Sequence, residues 1–187
     1  MIVKGFSSGG AFAHRFTLLH PQYVLAAIGG GNMHSFTLPQ KEHQGEILIW
    51  PNGMGNTDPY CSFDFASYKA VRQLFYMGDM DFNDPVPYDD SYTEEERQQV
   101  YRLFGETAMP DRWNKYQELV KALGLDNITC KTDVGLNHKP GKESREYITV
   151  FLRGILAEVS NFRFGRKSDR KRGAFLKIVI ACQQDIW

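Results

Sequence analysis

MIVKGFSSGG, residues 1–10, is the stretch on which the reading of this chain turns. Met1 to Lys4 form a short apolar run that ends at Gly5, the pattern of a strand meeting a tight turn. The turn runs into a helix: between Gly9 and His20 the apolar residues Phe12, Phe16 and Leu19 recur at helical spacing, and Pro21 stands just past the end. The local order is strand, Gly-x-Ser-x-Gly, helix.

A serine on a sharp strand-to-helix turn projects its hydroxyl out of the fold, and glycines on either side relieve crowding. Ser7 is so placed. The N–H of Ser8 would point to the same spot from the helix N-terminus, where unpaired donors favour developing negative charge, so nucleophile and half an oxyanion hole fit in six residues. The plain alternative is a Gly/Ser-rich connection. A catalytic serine also needs a base and an acid, which the rest of the chain must supply.

Composition bounds the search. The chain has 187 residues, 42% of them apolar and 24% charged, which is ordinary globular composition with length for one core. Net charge is zero but uneven: residues 161–187 carry a basic cluster, including Arg166, Lys167, Arg170, Lys171 and Arg172. Cys61, Cys130 and Cys182 show no metal-ligand spacing, and their odd number argues against a disulfide framework. No apolar run approaches the roughly 20 residues that cross a bilayer, and no secretory pattern opens the chain, so a cytoplasmic protein without membrane contact is expected.

Further along, Val24 to Ile28 reads as a second strand closed by glycines and Ile47 to Trp50 as a third. A short helix is expected over 63–71, and QLFYMG, 73–78, as another buried strand. An acidic, proline-containing loop follows at 79–90. Thr93 has the look of an N-cap with Glu96 completing a capping box, and Gly105 ends that helix. A helix over 111–123, a strand over 127–133 and a helix from Glu143 to Leu156 complete the pattern. Strands separated by helices predict an α/β fold with a mostly parallel sheet flanked by helices. In such a sheet, loops at the C-terminal strand ends converge on the ligand crevice. The Ser7 turn, the 79–90 loop and the 134–142 loop all leave that edge.

The second loop offers Asp79, Asp81 and Asp84, and the third offers His138, giving the chain order Ser, Asp, His. An imidazole at His138 could take the Ser7 proton while a carboxylate holds the ring in its tautomer. With GFSSGG (5–10), MGDMDFNDPVPY (77–88) and VGLNHKP (134–140), the sequence resembles the α/β-hydrolase superfamily over roughly residues 1–156, and FAHRFTLLHP (12–21) resembles its bacterial members. The resemblance implies Ser7 as nucleophile, Asp81 as acid, three residues after Gly78, and His138 as base, with Asp84 as the alternative acid. His14, His20, His34 and His43 are read as surface or structural, Asp79 as solvated, and the long segment between Asp81 and His138 as an enlarged crossover rather than a lid.

In that family the elbow strand has several strands before it, so the resemblance implies the C-terminal half of the fold, with the second oxyanion donor in the missing half and an exposed edge on the first strand. Losing one oxyanion donor costs about 100- to 1000-fold in turnover, which makes activity of the half-fold doubtful. The chain divides into a partial hydrolase domain, 1–160, and a basic extension, 161–187, in which residues 174–182 could be a strand that patches the open edge. The basic cluster is read as a solvated face, and nucleic acid is not an expected partner. The expected function is a serine hydrolase acting on small carboxylic esters or acyl substrates through an acyl-enzyme, with no metal or organic cofactor. The competing expectation is a non-catalytic remnant that completes its sheet by self-association or with a partner.

Overall fold

A computed structural model describes residues 1–58, 63–88, 90–165 and 178–181. Cys61, Cys182 and the basic run 166–177 lie outside the described residues. The main sheet has five strands: β1 (Ile2–Phe6), β2 (Ala26–Gly30), β5 (Arg72–Gly78), β6 (Ile128–Asp133) and β7 (Ile178–Ala181). All neighbours are parallel, in the order β6-β5-β2-β1-β7. The helices are α1 (Ser8–Leu19), α2 (Phe65–Ala70), α3 (Glu94–Phe104), α4 (Trp113–Ala122) and α5 (Lys142–Gly165).

Period-two alternation along the strands sorts side chains into two layers. Val3 and Ala27 pack with Ala13 of α1, while Phe75 and Met77 of β5 join Trp113, Tyr116 and Val120 of α4 in the largest core cluster. On the opposite face Ile28, Leu74 and Tyr76 meet Ile148, and Ile2 and Ala26 meet Ile155, both from α5. The aromatics between Asp81 and His138 go mainly into this core: Phe104 and Tyr116 both pack on Phe36. The segment is the crossover between β5 and β6; Tyr92 is buried in this core and also borders the cleft, while Phe82 and Tyr88 are exposed.

Two expectations change. Residues 47–50 do not form a main-sheet strand. Instead β3 (Glu42–His43) and β4 (Glu46–Ile47) make a two-residue antiparallel pair, and Leu48 is buried from a loop whose backbone bonds to Lys41 and Gly55. An apolar run of this length does not say whether a sheet or a loop buries it. The last helix runs well past Leu156, to Gly165. The edge-patching strand expected within 174–182 is present over part of that stretch: β7 pairs with β1 from Ile2↔Ile178 to Gly5↔Ala181.

Local signals elsewhere match their elements. Thr93 and Glu96 form the reciprocal capping box of α3, with the Thr93 N–H donating to Glu96 Oε2 at 2.8 Å. Gly105 follows at φ 115, and Asp64 caps α2 through the Ser67 N–H.

Candidate active site

Because all five strands run the same way, the segments after β1, β2, β5 and β6 leave one edge of the sheet. Ser7 lies between β1 and α1 at φ 55 and ψ −126. That is backbone a non-glycine residue adopts only under constraint. Two bonds impose it: the Ser7 N–H donates to the Gly30 carbonyl at 2.8 Å, and its carbonyl accepts from the Ala11 N–H at 3.0 Å. The tight passage also depends on Gly5, where a Cβ would fall 2.0 Å from the Gly9 carbonyl oxygen. Helix α1 starts at Ser8, so its first N–H groups have no intrahelical acceptor.

The acid and histidine loops are zipped together. Asp79 N–H donates to the Asp133 carbonyl and Met80 N–H to the Leu136 carbonyl, at 3.1 and 2.9 Å. The Asp79 carboxylate accepts from the Gly135 N–H at 2.7 Å, so Asp79 is a tie between the loops rather than a solvated charge. Below them Asp133 accepts from the hydroxyls of Ser144 and Tyr147, which fixes the end of β6 to the start of α5.

This register sets His138 on Asp81. Nδ1 of His138 lies 2.9 and 3.0 Å from the two carboxylate oxygens, and Asp81 is 1% exposed. Asp84 is engaged elsewhere: it pairs with the fully buried Arg112 guanidinium and accepts from the Val86 N–H. Geometry therefore separates the two carboxylates that spacing left open. The His138 ring packs 4.9 Å from the Phe6 ring, next in sequence to Ser7, and a Cβ on Gly31 would approach both rings.

With Nδ1–H directed at Asp81, Nε2 is an acceptor, and it receives the Asn83 side-chain amide at 3.0 Å. Ser7 Oγ has no hydrogen bond among the described residues. Ser7, Ser8, Gly31, Asn32, Asn83 and Tyr92 line one open cleft of about 550 Å³. Sequence reasoning missed Asn83, whose only signal is its place two residues after Asp81.

Of the remaining histidines, His14 is buried in the core, and burial pushes it down to about 3 despite the Thr37 backbone contact. His34 is 3% exposed and lines the cleft. Burial lowers it too, against the pull of Asp81 and Asp84. Burial raises the Cys130 thiol to about 12, which makes it an inert packing group. No group of three or more His, Cys, Asp or Glu among the described residues could hold a metal ion, and no described helix is long and apolar enough to cross a membrane.

The architecture, a parallel sheet flanked by helices, is that of part of an α/β-hydrolase fold. The chain is similar to poly(aspartic acid) hydrolase-1 from Sphingomonas sp. KT-1, with a TM-score of 0.50 and 19% identity over 73% of this chain and 48% of that one. It is similar to a poly(3-hydroxybutyrate) depolymerase from Bordetella parapertussis, with a TM-score of 0.50 and 20% identity over 73% of this chain and 43% of that one. The chain thus matches less than half the length of either structure. No protein-family model and no curated protein sequence matches it.

Proposed function

We propose that the chain carries the nucleophile, acid and base of a serine hydrolase of the carboxylic-ester class. The observation behind this is the Asp81–His138 pair, on the same sheet edge as a serine held at φ 55. Both structural neighbours are named as hydrolytic enzymes, one of them a polyester depolymerase.

In this mechanism the Asn83 amide turns away from Nε2 and the Ser7 hydroxyl takes its place. The Ser7 proton passes to Nε2 as Oγ bonds to the ester carbonyl carbon, and Asp81 stabilises the imidazolium. The carbonyl oxygen takes up the negative charge near the Ser8 N–H. The C–O bond to the alcohol then breaks, the leaving oxygen receives the proton from Nε2, and Ser7 keeps the acyl group. Water, deprotonated by the same nitrogen, attacks the acyl carbon, frees the acid and restores Ser7.

The test is labelling with a fluorophosphonate, which phosphonylates an activated serine. The full chain should label, and Ser7→Ala should not. Labelling that survives Ser7→Ala overturns the assignment. A folded chain that never labels favours the non-catalytic reading.

A further inference from the structure

Arg15 lies on the cleft-facing stripe of α1, with Ser8, Ala11 and Phe12. From Ser8 to Arg15 is about 10 Å along a helix axis, and both border the cleft that Ser7 lines. Its neighbours are neutral. Nε and Nη2 contact Thr37 Oγ1, the Ser35 carbonyl and the Tyr92 hydroxyl, each at 3.4 Å, the long limit of a hydrogen bond. The Trp50 ring covers it at 5.9 Å. No carboxylate pairs with Arg15 among the described residues. Asp90 also lines the cleft, but it is exposed, where water screens it.

A half-buried cation without a counter-ion is an unusual expense in a folded protein. Arg15 borders the same cleft as Ser7 and Ser8, and a guanidinium whose described partners are all neutral fits a ligand that brings a carboxylate.

We propose that Arg15 forms an anion subsite in the cleft it shares with Ser7, so that the favoured ester carries a carboxylate on its acyl part. The proposal rests on the hydrolase reading of Ser7 for its substrate, but not for its binding. Arg15 acts here as a specificity residue: it holds the far end of the acyl chain while Ser7 meets the carbonyl.

The experiment compares 4-nitrophenyl hemiadipate with 4-nitrophenyl hexanoate, whose acyl chains have equal length and differ in the terminal carboxylate. It also titrates the full chain with free adipate by calorimetry. The kcat/KM ratio of hemiadipate to hexanoate should exceed one and fall at least about tenfold in Arg15→Met, with adipate binding weakened to match. Arg15→Lys, which keeps the charge, should retain part of the preference, an effect that a purely structural arginine would not produce. Hexanoate turnover with no carboxylate preference, or a ratio and adipate affinity unmoved by Arg15→Met, overturns the subsite and leaves the hydrolase reading standing. Arg15-dependent adipate binding without Ser7-dependent turnover of either ester supports the subsite and overturns the hydrolase reading. Neither binding nor turnover overturns both.

Discussion

His14 is next to Arg15 on α1 yet points the other way, into the core, edge-on to Phe75 at 5.1 Å with its Nδ1 unpartnered. An unfolded histidine titrates near 6.5, whereas this one is held neutral down to about 3. Between those values the unfolded chain binds more protons, so stability is greatest above pH 6.5 and declines as the pH falls toward 3. The limiting slope is about 1.4 kcal/mol per pH unit. His34, also lowered by burial, acts in the same direction. Urea unfolding should therefore show a lower midpoint at pH 5 than at pH 7, and His14→Gln should reduce that difference. An unchanged pH slope in the variant would mean that His14 is protonated in the native state. Whether each histidine is packing or chemistry was not readable from its neighbours in sequence. His138 stood out through its loop and spacing, but His34 reached the cleft only because β2 ends there.

At the scale of elements, the elbow depends on how closely α1 can approach the strand that precedes it. A Cβ on Gly5 meets the Gly9 carbonyl at 2.0 Å, a backbone atom that cannot rotate aside. Gly5→Ala should cost on the order of 3 kcal/mol, the upper range for overpacking, and this is measurable as a lowered Tm. A near-neutral Gly5→Ala would show that the turn tolerates a wider crossing. The same GFSSGG string that suggested a nucleophile therefore also carries the packing rule of the turn. Capping signals were equally local: Thr93 and Glu96 lie three residues apart and fixed the start of α3 without tertiary help. Residues 47–50 failed as a strand for the opposite reason, since burial of Leu48 depends on what folds over it.

At the scale of the molecule, the sheet closes with a strand from the far end of the chain. β7 lies parallel to β1 over four residue pairs, and it satisfies backbone groups that an edge strand would otherwise present. Removing residues 166–187 should uncover β1 and promote association, seen as a concentration-dependent rise in mass by sedimentation. A truncated chain that stays monomeric at all concentrations would show that β7 is dispensable to the edge. The packing of α5 across Ile2, Ala26 and Ile28 is independent of β7 and should keep the opposite face of the sheet covered.

The sequence by itself determined the strands β1, β2, β5 and β6, the helices between them, the elbow at Ser7 and the candidates Asp81, Asp84 and His138. Each of these is written in local spacing, turn residues or periodicity. Only the tertiary structure decided that His138 faces Asp81 while Asp84 serves Arg112, that Asn83 meets Nε2, and that Arg15 and His34 share a cleft with Ser7. Those pairings join residues far apart in the chain, and the parallel register that brings their strand ends to one edge depends on the whole core.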